Sequence, residues 1–121
     1  MGVDLVSIAR FTAAVDRTPR LLTRVFTERE LELSGGARPR MTSLAGRWAA
    51  KEAVAKVLVD NRGLEWHHCE LLNGDRGEPI LMLTGTVLAA ADARGIDGWH
   101  ASLSHDGAMA IAVVIASRAE R

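Results

Sequence analysis

Apolar residues recur along the chain with two periods, and these periods predict where strands and helices lie. The short apolar run from Gly2 to Ile8 predicts a strand, and Ala9 to Val15 predicts a short helix after it. From about Thr42 to Asp60 the apolar positions follow helical spacing over the longest stretch in the chain. This stretch is predicted to form the central helix.

Local capping and turn residues place the remaining elements. Pro19 is predicted to open a second helical turn, and Thr27 with Glu30 forms a capping box for a helix through about Leu33. Residues 34–39 then form a loop. The rest of the chain is predicted to contain a strand at 65–72, a turn at 73–79, a strand at 80–83, a helix from Thr84 or Thr86 to Arg94, and strands at 99–105 and 108–116 around a two-residue turn at Asp106-Gly107.

The predicted order is β-α-α-α-β-β-α-β-β, without internal repeats or low-complexity segments. This order indicates an α+β protein in which helices pack on an antiparallel sheet. A chain of 121 residues fits a single domain covering residues 1–121.

Composition narrows the function classes. The formal net charge is zero, which argues against a nucleic-acid-binding protein that works through bulk positive charge. The chain has one cysteine, Cys69, and no apolar run long enough for a membrane segment, so a cytoplasmic protein is expected. Only five residues are aromatic, three Trp and two Phe, which implies a small aliphatic core and makes oligomerisation plausible.

Charged residues on the central helix are the first candidates for chemistry. Arg47, Lys51, Glu52 and Lys56 fall on the side opposite an alanine-rich apolar stripe. Three cations favour phosphate, and one carboxylate favours a metal ion or a proton. The alternative is a solvated face on which Glu52 and Lys56 form an ordinary pair at i,i+4.

Two residues elsewhere extend this candidate site. Asp4 is unusual within a strand and is either a solvent-facing strand end or a ligand for a hard cation. His105 ends a strand beside a tight turn and has either a structural or a ligand-binding role.

A zinc site is not predicted at His67, His68 and Cys69, because neighbouring strand residues point to opposite faces and the sequence has no second ligand cluster. Together the candidates favour a phosphate-bearing substrate with Mg²⁺ bridging protein and phosphate.

Arginines are spaced through the first helices. Arg17, Arg20 and Arg24 recur at three- and four-residue steps and would share a face if helical. Such a face suits an acidic protein surface better than nucleic-acid bases, and ordinary surface arginines are the alternative.

Four sequence segments together resemble the holo-[acyl-carrier-protein] synthases, the small 4′-phosphopantetheinyl transferases. The segments are Gly2-Val3-Asp4-Leu5-Val6, Phe26-Thr27-Glu28-Arg29-Glu30-Leu31, Gly46-Arg47-Trp48-Ala49-Ala50-Lys51-Glu52-Ala53, and Ser102-Leu103-Ser104-His105 with the apolar strand after it. Either the helix motif or the early Gly-Val-Asp would be weak alone, but their pairing at this spacing is specific.

The resemblance implies a role for each matching residue. Asp4 and Glu52 would hold Mg²⁺ with the coenzyme A pyrophosphate, and Lys56 would contact phosphate and manage a proton. Arg47 and His105 would line the nucleotide and phosphates of coenzyme A, and Lys51 belongs to the same group of phosphate-facing cations. Arg10, Arg17, Arg20 and Arg24 would dock the acidic helix of the carrier protein.

The resemblance also implies a reaction and an assembly. A serine hydroxyl of an apo-acyl-carrier protein would attack the β-phosphate of coenzyme A and release adenosine 3′,5′-bisphosphate, in fatty-acid (lipid) or polyketide biosynthesis. The family is usually a homotrimer with active sites between subunits. No nucleic acid or membrane is expected as a partner.

Two features depart from the family: Trp48 stands where the family commonly has Phe, one aromatic residue for another, and the segment after the central helix differs. The glycine-rich loop that often follows the helix is replaced by Leu58-Val59-Asp60-Asn61-Arg62-Gly63, and Arg62 is expected to take the place of backbone amides. This departure favours a rival hypothesis, a trimeric coenzyme A or nucleotide-binding protein without catalysis. A metal-dependent pyrophosphate hydrolase is the other rival, although it would need no arginine docking face.

Overall fold

The computed structural model describes residues 1–32, 39–59 and 62–119. The strands are β1 (Gly2–Ser7), β2 (Cys69–Asn73), β3 (Pro79–Leu83), β4 (Gly98–Asp106) and β5 (Met109–Ser117). The helices are α1 (Ile8–Arg17), α2 (Arg20–Val25), α3 (Glu28–Leu31), α4 (Met41–Leu58) and α5 (Gly85–Ala93), and a 3₁₀ turn covers Trp66–His68.

The strands form two antiparallel sheets. A three-stranded sheet has the order β1-β5-β4, with Asp4 opposite Ala112 and Leu103 opposite the same alanine on the other side. The second sheet is the hairpin β2-β3. Helices packed on antiparallel strands confirm the predicted α+β class.

Helix α4 lies across the three-stranded sheet and forms much of the core. Its buried Ala49, Ala50 and Ala53 belong to the same cluster as Ala112 and Val114 of β5. Small residues on both surfaces let the helix backbone approach the sheet closely. Within the described residues, none of the helices combines the length and apolar character that crossing a lipid bilayer requires.

Two predicted elements differ from the structure. The helical turn predicted to begin at Pro19 is a separate helix, α2, so the described residues contain four α-helices between β1 and β2, where the predicted order had three. The strand predicted from Glu65 begins only at Cys69. Before it the chain forms the 3₁₀ turn, in which the His68 amide donates to the Glu65 carbonyl at 3.0 Å.

Element ends also shift. Helix α4 ends at Leu58, and Val59 takes a positive φ of 63° at its C-terminus. The last hairpin turns at Gly107-Ala108, one residue later than predicted, because Asp106 pairs with Met109. The predicted helix end at Leu33, most of the loop at 34–39, and Asp60 and Asn61 lie outside the described residues.

The capping box at α3 is confirmed. The Thr27 side chain accepts a hydrogen bond from the Glu30 amide at 3.3 Å, and Glu30 Oε1 accepts one from the Thr27 amide at 3.1 Å. Unlike most capping glutamates, however, Glu30 is fully buried. Glu30 also forms an ion pair with Lys51.

Candidate active site

Asp4 and Glu52 come together where strand β1 crosses helix α4. The Oδ1 atom of Asp4 accepts a hydrogen bond from Lys56 Nζ at 2.8 Å, and the same ammonium donates to the carbonyl of Val3 at 3.0 Å. Glu52 lies one helical turn before Lys56 on α4. A strand and a helix therefore hold an acidic pair, Asp4 and Glu52, beside one lysine.

Negative charge exceeds positive charge at the acidic pair. Burial raises the pKa of Glu52, the negative charge of Asp4 raises it further, and Lys56 lowers it. Lys56 is 55% exposed, whereas the Asp4 side chain is only 16% exposed. One partly exposed ammonium therefore faces two partly desolvated carboxylates.

This donor set fits a hard divalent cation. Positive charge between the carboxylates would relieve their repulsion, and carboxylate oxygens are the ligands that Mg²⁺ prefers. Among the described residues, no group of three or more His, Cys, Asp or Glu side chains could hold a metal ion. A cation at the acidic pair would therefore take its remaining oxygens from water or from a substrate phosphate, as Mg²⁺ usually does.

The acidic pair opens into a cleft with a volume of about 530 Å³, called here the first cleft. Arg10 lies at this cleft together with the carboxylates, and much of the remaining wall is apolar, including Phe11 and Trp48. The first cleft thus combines a charged end with an apolar wall built by α1, α2 and α4.

Arg47 and His105 lie at the second cleft, which has a volume of about 490 Å³ and shares no lining residue with the first. Its other polar residues include Arg40 and Ser104. The sequence grouped Arg47 and His105 with Asp4 and Glu52 in one site, but within one chain the structure separates them. Strand β5 lies between β1 and β4, and five helical residues turn Arg47 well away from Glu52.

The position of Lys51 contradicts the sequence-based prediction that it contacts phosphate. Its side chain and that of Glu30 are both 0% exposed and form an ion pair at 2.8 Å. Lys51 Nζ also donates to the carbonyl oxygens of Val25, Trp66 and Cys69. The predicted phosphate contact is therefore wrong, because the ammonium is buried and already bonded to four oxygens.

Arg47 is buried, with 5% of the residue exposed, yet it lines the second cleft. Its guanidinium donates to the carbonyl of Glu30, and burial lowers its pKa while the charge of Glu30 raises it. It remains cationic at neutral pH, because guanidinium groups start from a very high pKa. Arg47 therefore anchors α4 to α3 and also presents positive charge to the second cleft.

Sequence reasoning missed Glu30 as the partner of Lys51. The capping box was visible, but a capping glutamate is normally exposed, so nothing local indicated burial. Glu30 Oε2 also accepts the amide of Leu71 at 3.0 Å, which ties α3 to β2. An acid with two partners far along the chain is visible only in the tertiary structure.

The remaining candidates are exposed. Arg10 and Arg17 lie at the two ends of α1, while Arg20 and Arg24 lie on α2 at i,i+4 spacing, so one helical face carries only two of the arginines. His67 and His68 have separate partners, the carbonyl of Thr23 and the Thr86 hydroxyl. Arg62 and His105 are exposed, His105 near the end of β4.

Known proteins share this architecture over nearly the whole chain. A holo-[acyl-carrier-protein] synthase from Salinispora arenicola is 51% identical over 118 residues, covering 98% of this chain and 97% of the relative. The crystal structure of the Helicobacter pylori synthase in complex with coenzyme A has a TM-score of 0.82 at 33% identity, covering 96% of this chain and 98% of that one. The Chronobacterium ammoniagenes complex with coenzyme A has a TM-score of 0.80 at 30% identity, covering 99% and 96%.

The fold and these similarities identify the chain as an α+β transferase with helices packed on antiparallel sheets. The family follows from the model of the 4′-phosphopantetheinyl transferase superfamily, which matches residues 1–114. The chain belongs to this superfamily.

Proposed function

We propose that the protein transfers 4′-phosphopantetheine from coenzyme A to a serine of an apo-acyl-carrier protein, with Mg²⁺. The serine oxygen forms a bond to the β-phosphorus, and the pyrophosphate P–O bond breaks. Its electron pair leaves with adenosine 3′,5′-bisphosphate. The serine proton passes to water or to a carboxylate of the acidic pair.

The observation that carries the proposal is the acidic pair beside Lys56. Asp4 and Glu52 would hold Mg²⁺, which when bound neutralises phosphate charge during the transfer. Lys56 reaches Asp4 from an exposed position and can turn to a phosphate oxygen by rotating its flexible side chain. Simple binding of coenzyme A would not require two partly desolvated carboxylates.

The second cleft is proposed to bind the nucleotide part of coenzyme A. Arg47 and His105 supply a fixed cation and an imidazole, and Arg40 lies at the same cleft. Arg62, past the end of α4, is proposed to approach a phosphate where the family often has glycine amides. Related synthases crystallised with coenzyme A support this ligand.

The exposed arginines are proposed to dock the carrier protein. Arg10 lies at the first cleft, and Arg17, Arg20 and Arg24 extend positive charge along α1 and α2. An acidic helix placed there would bring its serine close to the acidic pair. Complementary charge of this kind mainly speeds association and selects the partner.

A homotrimer with active sites between subunits is proposed as the working form. The sheet face opposite α4 is apolar and exposed at Val3, Leu5, Met109 and Ile115, which suits burial against another copy. An interface between subunits could place the second cleft of one copy beside the acidic pair of the next. The proposed setting is the cytoplasm, where a single unpaired cysteine stays reduced.

An intact-mass assay tests the reaction. The protein is mixed with coenzyme A, Mg²⁺ and an apo-carrier from either fatty-acid or polyketide synthesis, with EDTA in a parallel sample. A carrier heavier by one phosphopantetheine, and only with metal, is the expected result. The carrier that gains mass faster identifies the pathway.

Two outcomes would overturn the proposal. Binding of coenzyme A without mass gain on any carrier would favour the non-catalytic binding protein. Release of adenosine 3′,5′-bisphosphate without a modified carrier would favour the hydrolase.

A further inference from the structure

Strand β1 lies in close contact with helix α4 at Gly2. A Cβ atom added to Gly2 would overlap the carbonyl oxygen of Ala53 and lie 3.0 Å from Val57 Cγ2. Gly2 is buried and paired with Val114 of β5, so the strand cannot tilt freely away from the helix. The obstacle is helix backbone, which cannot move aside as a flexible side chain could.

This contact lies beside the acidic pair. Asp4 follows Gly2 by two residues and therefore lies on the same face of β1, toward α4. Ala53 directly follows Glu52, and Val57 directly follows Lys56. The Gly2 contact thus sets the distance between the strand that carries Asp4 and the helix that carries Glu52 and Lys56.

We propose that Gly2 is a positioning residue: its missing side chain lets β1 lie against α4 so that Asp4 and Glu52 can share one cation. This inference rests on the proposed metal site. A methyl group at Gly2 needs a separation of about 1 Å more to reach ordinary contact distance. Displacements of about that size at a catalytic constellation can cost about a hundredfold in rate.

The test compares Gly2→Ala with Gly98→Ala. Both glycines begin a strand of the same three-stranded sheet, so both substitutions have the same effect on the unfolded chain. A Cβ at Gly98 would meet the hydroxyl of Ser117, which side-chain rotation moves away. Only Gly2→Ala meets a helix carbonyl.

Metal binding is measured directly, in the absence of catalytic turnover. Mn²⁺ is titrated in place of Mg²⁺ with saturating coenzyme A and no carrier, and free Mn²⁺ is followed by electron paramagnetic resonance, corrected for Mn²⁺ held by coenzyme A alone. Gly2→Ala is expected to weaken Mn²⁺ binding by about tenfold or more, a typical effect of disturbing the support of metal ligands. Gly98→Ala is expected to bind like the wild type.

A second variant separates positioning from general damage. In the Gly2→Ala background, Asp4→Glu lengthens the carboxylate and should recover part of the lost Mn²⁺ affinity, whereas Asp4→Glu alone should lower it. If Gly2→Ala does not fold, Gly2→Ala with Val57→Ala relieves the Val57 part of the clash and keeps the overlap with the Ala53 carbonyl, so it should bind Mn²⁺ more weakly than Val57→Ala alone.

The outcomes distinguish the two proposals. Wild-type protein that binds no Mn²⁺ beyond coenzyme A alone would remove the proposed metal site. Wild-type binding that Gly2→Ala leaves unchanged would overturn the positioning role of Gly2 and leave the proposed function standing. Loss of affinity without rescue by Asp4→Glu would also overturn it, since a merely structural defect behaves in that way.

Discussion

Replacing Lys51 with methionine should cost the protein much of its stability. Lys51 and Glu30 are both 0% exposed, and the lysine ammonium also packs 5.3 Å from the centre of the Phe26 ring. Methionine keeps most of the side-chain volume but removes the charge and all donors. Glu30 would then remain as a buried carboxylate without its cation.

The magnitude follows from the burial. Removing one partner of a fully buried ion pair costs about 3–5 kcal/mol, because the other charge is left uncompensated. Domains of ordinary stability have about 5–15 kcal/mol in total. For a chain of this size we expect the unfolding midpoint to fall by about 10–20 °C.

Thermal and urea unfolding of metal-free protein measure the effect. Lys56→Met is the matched control, since it changes a lysine of the same helix whose ion pair is partly exposed and worth about 0–1 kcal/mol. A double-mutant cycle of Lys51→Met with Glu30→Gln should show a coupling of about 1–3 kcal/mol, because the second change removes the stranded charge.

One result would contradict the structural role of Lys51. If Lys51→Met unfolds within about 1 kcal/mol of the wild type and selectively raises the KM for coenzyme A, then Lys51 is exposed to ligand in solution. The sequence-based role as a phosphate ligand would be restored.

Three further predictions concern the acidic pair, the end of α4 and the arginines. Because folding raises the pKa of Glu52, its ionised form destabilises the native state, and stability should fall as pH rises from the ordinary glutamate pKa through the raised one. Glu52→Gln should therefore melt higher than wild type at neutral pH in EDTA, lose this advantage in acid, and lose Mg²⁺-dependent turnover. Val59→Gly should stabilise by about 1 kcal/mol in urea unfolding, because Val59 is 82% exposed and its φ of 63° is strained for a β-branched residue. Arg17→Glu with Arg20→Glu should raise the carrier KM by about tenfold or more at low salt and leave the coenzyme A KM unchanged.

Each of these three predictions would be contradicted by a specific outcome. A lower melting point for Glu52→Gln at neutral pH would show that attraction to Lys56 outweighs burial and repulsion from Asp4. A lower urea midpoint for Val59→Gly would mean that Val59 makes contacts of its own. An unaltered carrier KM in the arginine double variant would place the docking surface elsewhere.

Local sequence signals predicted most of the fold because they act over a few residues. The capping box at Thr27 and Glu30, the Pro19 break and the long alanine-rich helix depend on neighbours along the chain, and all three appear in the structure. The Trp66–His68 turn was missed because the side chains of His67 and His68 bond to residues from distant segments.

The amino-acid sequence was sufficient to predict the α+β class and, through the resemblance, the family, which the match to the superfamily model confirms. It also identified Asp4, Glu52 and Lys56, whose proximity the structure then showed. Which cations of α4 are exposed depends on what packs against the helix in three dimensions. Helical periodicity placed four charged residues on one polar face: Arg47, Lys51, Glu52 and Lys56. In the structure, α4 packs against the sheet on one side and against α3 and β2 on the other. Lys51 is therefore buried against Glu30, whereas Lys56 contacts Asp4. A helical period describes only the direction of a side chain, and its partner is set by what packs there.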